Sequence, residues 1–154
     1  SVSDEEIIET AKLACIYDEI LAFPEGFETR IGERGLSLSG GQRQRIAIAR
    51  ALLLKPNVLV IDDVFSSLDS HTESKVLSNL LRVMRGKTLI VVSSRVTSLR
   101  FFDRIAVLKG GRLVEFGTHS DLIKKGGLYA RLCRVQMLYD EIDSIETYKN
   151  NVKG

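Results

Sequence analysis

Apolar residues along the chain follow two spacings, which predict helices that alternate with short strands. Two stripes have the helical spacing of three and four residues. The first comprises Ile7, Ile8, Ala11, Ala14 and Cys15, and the second comprises Val76, Leu77, Leu80, Leu81 and Met84. Two other runs, from Val58 to Ile61 and from Thr88 to Val92, are almost continuously apolar and rich in β-branched residues. This pattern is typical of parallel strands that are buried on both faces.

Helix starts are marked by a hydroxyl residue followed three positions later by an acid or an amide, which is the pattern of a capping box. The pattern occurs at Ser3 with Glu6, Ser39 with Gln42, Ser70 with Glu73, and Thr118 with Asp121. The second of these predicts a helix from about Gly40 to Leu54, which ends before Pro56.

The last third of the chain predicts a hairpin and two helices. Apolar segments flank Gly110 and Gly111, which favours a two-residue β-turn between antiparallel strands. A final helix is expected from Leu128 to Tyr139, and the residues from Asp140 onward are polar. The order strand, helix, strand earlier in the chain implies an α/β fold with a parallel sheet and a right-handed crossover.

Composition narrows the class of protein. The chain has 154 residues, 44% of them hydrophobic, and a net charge of +2, which suits a folded domain and not a disordered tail. The small net charge gives little support for a nucleic-acid binder. No apolar run is long enough to cross a membrane, so no membrane span is expected. The two cysteines lack metal-binding spacing and indicate a reducing compartment.

Two carboxylates follow the first predicted strand directly. Asp62 and Asp63 come after Val58 to Ile61, and ligands of open α/β sheets bind at the carboxyl ends of strands. A carboxylate at this position can hold Mg²⁺, directly or through water. The alternative is that Asp62 only caps a loop.

A basic, glycine-containing segment precedes this strand. Residues 36–57 contain four basic and no acidic side chains, and Ser39, Gly40, Gly41 and Gln42 open the predicted helix. Glycines allow a ligand close to the backbone, and a helix N-terminus favours an anion such as phosphate. An ordinary helix cap remains the alternative.

Taken together and in this order, Leu-Ser-Gly-Gly-Gln at residues 38–42, the helix after it and Val-Leu-Val-Ile-Asp at residues 58–62 resemble the nucleotide-binding domain of ABC transporters. The segment from Ser67 to Asp69 resembles the D-loop of that family, and the segment from Thr29 to Gly35 resembles the X-loop of its exporters. The resemblance extends from about Asp4 to Gln136.

The resemblance implies the C-terminal half of a P-loop NTPase-like α/β domain with a parallel sheet, together with the ABC helical subdomain. Residues 1–57 would form the helical subdomain, residues 58–139 the C-terminal part of the ATPase core, and residues 140–154 a polar tail. The implied cofactors are ATP and Mg²⁺. The implied partners are a second nucleotide-binding domain in a head-to-tail dimer and transmembrane domains whose coupling helices lie near Thr29 to Gly35. No nucleic acid is implied, and the expected location is the cytoplasmic face of the cell membrane.

Three features depart from the family pattern. The P-loop motif G-x-x-x-x-G-K-[ST] is absent from these residues, so the chain alone is expected to be inactive. Asp63 stands where the family usually has a catalytic Glu, and its carboxylate is about 1.5 Å shorter in reach. Ser94 stands where the family has a histidine that contacts the γ-phosphate.

Together with the resemblance, these departures imply one half of a heterodimeric exporter, whose own ATP site hydrolyses ATP only weakly. Asp62 would hold Mg²⁺, Asp63 would be a weak base, and Ser94 would be an impaired γ-phosphate sensor. Ser39, Gly40, Gly41 and Gln42 would complete the ATP site of the partner, with Asp69 at the dimer interface. Two alternatives remain, a soluble ABC ATPase of DNA repair or translation and a non-enzymatic remnant.

Overall fold

The computed structural model describes residues 2–32 and 35–152. The chain forms two compact units, Ser1–Ser93 and Ser94–Gly154. The boundaries expected from the sequence, 57/58 and 139/140, remain a prediction. No helix of the described residues has the length and apolar content that crossing a membrane requires.

The first unit contains four helices and a parallel pair of strands. The elements are α1 (Asp4–Leu13), α2 (Tyr17–Leu21), a 3₁₀ turn (Gly26–Glu28), α3 (Gly40–Leu53), β1 (Val58–Asp62), α4 (Ser70–Val83) and β2 (Thr88–Val92). Val58 pairs with Thr88 and Asp62 with Val92, so the carboxyl ends of both strands lie at one edge. The strand, helix, strand order and the parallel pairing confirm the predicted α/β class.

The expectation that both strands are buried on two faces is wrong for the described residues. Leu59 and Ile61 are buried, whereas Val58 is 57% and Val60 is 61% exposed. The side chains of a strand alternate between faces, and the described residues of this unit cover only one face of β1.

Local signals predicted most helix starts correctly, with one exception. Ser3 and Ser39 form the expected capping boxes of α1 and α3. Helix α4, however, is capped by Asp69 and not by Ser70. A carboxylate is an equally good cap, and here it accepts hydrogen bonds from two backbone N–H groups instead of one.

The second unit is a hairpin against two helices. Its elements are a 3₁₀ turn (Thr97–Phe101), β3 (Ile105–Lys109), β4 (Arg112–Gly117), α5 (His119–Lys125) and α6 (Leu128–Val152). Gly110 and Gly111 both have positive φ, as the predicted two-residue turn requires. Buried residues of its core are Val96, Ile105, Val107, Leu122, Tyr129 and Cys133.

Helix α6 is longer than the sequence indicated. It continues past Tyr139, the expected end, to Val152. Polar composition alone did not end it, because the residues from Asp140 to Val152 include neither glycine nor proline.

Candidate nucleotide-binding site

The signature segment, residues 38–42, leads into the start of α3 through a reciprocal cap. The Ser39 hydroxyl accepts a hydrogen bond from the Gln42 backbone N–H at 3.1 Å, and Gln42 Oε1 accepts one from the Ser39 N–H at 2.9 Å. Ser39 is exposed and Gly41 is buried. An exposed helix N-terminus with this cap presents the positive end of the helix dipole and suits an anion.

The two glycines of this segment lie against the loop that precedes α4. A Cβ atom at Gly40 would lie 3.0 Å from Ser67 Oγ. A Cβ atom at Gly41 would lie 3.0 Å from both the Ser67 carbonyl oxygen and Leu68 Cδ2. A side chain at either position would therefore be in tight contact with this loop, which favours glycine for a reason that the sequence did not reveal.

The two carboxylates of the strand end lie where the sequence predicted them. Asp62 ends β1, and both Asp62 and Asp63 are exposed. The Asp63 N–H donates to the Val92 carbonyl oxygen at 3.0 Å, and Asp63 has a φ of +49°. Few residues other than glycine adopt this conformation, although Asp and Asn tolerate it best. It directs the chain out of the sheet directly after the carboxylate pair.

A chain of hydrogen bonds connects α3 to this strand end. Gln44 Nε2 donates to Ser66 Oγ at 3.3 Å, and Ser66 Oγ donates to the Asp63 carbonyl oxygen at 3.0 Å. Gln44 Oε1 is buried and has no hydrogen-bond partner among the described residues. The hydrogen bond between Gln44 and Ser66 spans 22 positions of the chain, so no local pattern of residues predicts it.

The Asp69 carboxylate is engaged at the start of α4. Its Oδ1 accepts from the backbone N–H groups of Thr72 at 2.9 Å and His71 at 3.1 Å. The pKa of the Asp69 carboxyl lies below its ordinary value. The main cause is the hydrogen bond from the Thr72 backbone, and the hydrogen bond from the Thr72 side chain is the next largest. The structure thus gives Asp69 a capping role, and its place at a dimer interface remains a prediction.

Asp62 offers one exposed carboxylate as a possible ligand for Mg²⁺. The described residues contain no group of three or more His, Cys, Asp and Glu that could hold a metal ion. Mg²⁺ usually takes one or two protein carboxylates and completes its shell with water and substrate phosphates. The exposed Asp62 suits that arrangement.

Ser94, the last predicted site residue, belongs to the second unit. It is exposed and follows the end of β2 by two residues. Its action together with Asp63 therefore remains a prediction.

An apolar cavity of about 160 Å³ lies in the first unit beside the segment from Thr29 to Gly35. Its lining includes Ile7, Ile20, Phe23, Phe27, Ile31 and Leu53, with Arg50 as its cation. In the adjacent segment, the Leu36 N–H donates to the Arg30 carbonyl oxygen at 2.9 Å. Glu33 and Arg34 of the segment from Thr29 to Gly35 lie outside the described residues.

Comparisons with known proteins agree with this geometry. A sequence model described as ABC transporter matches residues 10–66. The mitochondrial potassium channel ATP-binding subunit of Pongo abelii is 48% identical over 136 residues, which are 88% of this chain and 19% of that protein. The heavy metal tolerance protein of Schizosaccharomyces pombe is 45% identical over 133 residues, which are 86% of this chain and 16% of that protein.

A solved structure is similar in fold as well as in sequence. It is the structure of a bacterial Atm1-family ABC exporter with ATP bound, with a TM-score of 0.84 and 42% identity over 89% of this chain and 24% of that chain. This chain spans about a fifth of the length of the curated relatives above. The signature segment, the carboxylate pair after β1 and these similarities together place the chain in the ABC transporter family, as part of an exporter-type ATP-binding domain.

Proposed function

We propose that this chain is part of an ABC exporter half that couples ATP binding and hydrolysis to transport. In this proposal its own ATP site is weakly hydrolytic, and its signature segment completes the ATP site of a second nucleotide-binding domain. The similar Atm1-family structure has ATP bound, which supports ATP as the nucleotide.

The observation that carries the proposal is the start of α3. The capping box of Ser39 and Gln42 is intact, and Ser39 is exposed at the positive end of a 14-residue helix. The packing of Gly40 and Gly41 against Ser67 fixes this helix start against the loop that leads to α4. A pre-ordered N-terminus of this kind can stabilise the terminal phosphate of a nucleotide that another domain holds.

The proposal that this chain's own ATP site hydrolyses ATP only weakly rests on Asp63 and Ser94. Asp62 would hold Mg²⁺ through water, while the metal would neutralise charge on the phosphates of the nucleotide. Asp63 would be the base that orients the attacking water, and its short side chain limits its reach. A displacement of about 1 Å can lower a rate roughly 100-fold. Ser94 can form one hydrogen bond to the γ-phosphate but carries no imidazole.

The cavity in the first unit supports contact with transmembrane domains. Its apolar wall, with Phe27 and Ile31 beside the segment from Thr29 to Gly35, suits the apolar side of a short helix. Phe27 is 39% and Ile31 is 52% exposed, so both offer surface to a partner. This contact would hold the domain at the cytoplasmic face of the membrane.

The test is substitution of Ser39 by Arg in the complete transporter. The bulky cation would block the approach of the γ-phosphate held by the partner domain, so ATP turnover should fall strongly. Ser37→Arg is the matched control, because Ser37 is also exposed, lies two residues earlier and precedes the helix cap. Normal turnover in Ser39→Arg would contradict the proposed role of this signature segment.

A further inference from the structure

Arg45 is a buried cation directly behind the signature segment. The residue is only 8% exposed, and its guanidinium group donates in three directions. Nη1 donates to Glu19 Oε1 at 2.5 Å and to the Cys15 carbonyl oxygen at 2.6 Å, while Nε donates to the Gly41 carbonyl oxygen at 3.3 Å. Arg45 therefore connects α3 to the turn between α1 and α2.

The conformation of Cys15 makes one of these contacts possible. Cys15 has a φ of +55°, which turns the chain sharply between α1 and α2. The turn directs its carbonyl oxygen toward Arg45. The backbone at this position thus contributes to the site of the buried cation.

Glu19 on α2 binds both Arg45 and the last residue of the signature segment. Its Oε1 accepts from Arg45, and its Oε2 accepts from Gln42 Nε2 at 2.9 Å. A carboxylate only accepts hydrogen bonds, so the amide nitrogen of Gln42 must face Glu19. The amide oxygen of Gln42 then faces the Ser39 N–H, as the capping box requires.

The charge state of Glu19 is compatible with accepting both hydrogen bonds. Partial burial alone would raise the pKa of its carboxyl. The hydrogen bonds from Arg45 and Gln42 and the charge of Arg45 outweigh that effect, so the pKa lies below its ordinary value. Glu19 is consequently ionised at neutral pH and available as a double acceptor.

We propose that Glu19 is a positioning residue for the signature segment: it orients the Gln42 amide and, through Arg45, the Gly41 backbone, so that the start of α3 is held ready for the nucleotide of the partner domain. This inference rests on the function proposed above. It adds a residue of α2, 20 positions before the signature serine, to the parts that the ATP site of the partner domain needs.

The first experiment replaces Glu19 by Gln in the complete transporter. A Gln amide would place a donor against Arg45 or against the Gln42 amide nitrogen, so one contact is lost. The kcat for ATP should fall about tenfold or more, because misplacement by about 1 Å costs up to roughly 100-fold. The KM for ATP should stay within about twofold, since the signature segment would act on the closed, reacting state. Asp18→Asn, which removes a charge from an exposed neighbour on α2, should leave both constants unchanged.

The second experiment restores the hydrogen-bond pairing with its direction reversed. In the double variant Glu19→Gln/Gln42→Glu, the new amide nitrogen can donate to the new carboxylate and its oxygen can accept from Arg45. The new carboxylate can still accept from the Ser39 N–H. The double variant should turn over ATP several-fold faster than either single variant. Gln42→Glu alone sets two carboxylates against each other and should be the slowest.

Two controls separate the possible failures. Thermal melting of each variant shows whether the domain is folded, and the rescue comparison remains valid even where a single variant is less stable. If Ser39→Arg lowers turnover while Glu19→Gln does not, the positioning role is overturned and the proposed function stands. If the double variant is no faster than the faster of the two single variants, the orientation of the amide by Glu19 is overturned. If Ser39→Arg has no effect, the proposed function itself fails.

Discussion

The backbone of Gly41 approaches Ser67 so closely that a Cβ atom at Gly41 would lie 3.0 Å from the Ser67 carbonyl oxygen. The start of α3 and the loop before α4 are therefore packed so closely that a side chain at Gly41 would displace the loop by a few tenths of an ångström. Because a backbone atom forms one side of the contact, the loop cannot yield by a rotamer change alone.

Gly41→Ala should consequently destabilise the complete ATP-binding domain, although alanine favours helices. Overpacking costs roughly 1–3 kcal/mol, and the gain in helix propensity offsets up to about 1 kcal/mol. Urea unfolding measures the difference. Gly117→Ala is the control, since its Cβ would lie no closer than 3.4 Å to any neighbour. Equal unfolding free energies for the two variants would show that the loop accommodates a Cβ atom at Gly41 without cost.

A second prediction concerns the carboxylate at the start of α6. Glu115 accepts hydrogen bonds from the backbone N–H groups of Leu128 at 2.5 Å and Tyr129 at 3.1 Å. These two hydrogen bonds lower the pKa of the Glu115 carboxyl below its ordinary value of 4.5, and the one from Tyr129 has the larger effect. The neighbouring residue is Gly127, and a Cβ atom at that position would lie only 2.0 Å from Glu115 Oε1.

A lowered folded-state pKa means that the ionised carboxylate stabilises the fold above its unfolded-state pKa. This stabilisation is lost as the pH falls through the lower, folded-state pKa. The melting temperature of Glu115→Gln should therefore be below that of the wild type at pH 7, and the gap should narrow as the pH falls below about 4.5. If the difference in melting temperature stays constant between pH 7 and pH 3, ionisation of Glu115 makes no pH-dependent contribution to the stability of the fold.

The third prediction is that a polypeptide of residues 1–154 binds ATP poorly and does not hydrolyse it. The P-loop motif is absent from these residues, and in this class of enzyme it provides most of the contacts to the phosphates. Calorimetry with Mg-ATP is the measurement. Micromolar binding at one site would mean that the described residues hold a nucleotide in another way.

The fourth prediction concerns the weak site. In the complete transporter, with the catalytic Glu of the partner domain removed, Asp63→Glu and Ser94→His together should increase single-turnover hydrolysis. Groups that transfer protons contribute about 100 to 10,000-fold, and residues that act as a unit are not additive. Each single substitution should therefore increase the rate of hydrolysis much less than the two together. No gain in the double variant, with nucleotide bound, would mean that another part of the site limits the rate.

Contacts between near neighbours in the chain were predictable from the sequence. The capping box of Ser39 and Gln42 and the turn at Gly110 and Gly111 depend on residues within three positions, so side-chain chemistry and backbone preference determine them. The strand end at Asp62 was also predictable, because a short apolar run followed by two carboxylates ends at an evident place. At Ser70 the local rule failed, since Asp69 is an equally good cap one residue earlier.

The tertiary structure decided what joins these local pieces. The bridge from Glu19 to Arg45 and Gln42 spans more than 20 residues, and nothing in the sequence around Glu19 distinguishes it from the exposed Asp18. The close approach of Gly41 to Ser67 is equally distant along the chain. Local propensities act over one helical turn, whereas burial and hydrogen bonding between distant segments exist only once the chain is packed. The sequence by itself therefore determined the capped helix start at Ser39, and only the packed chain decided which residues hold it in place.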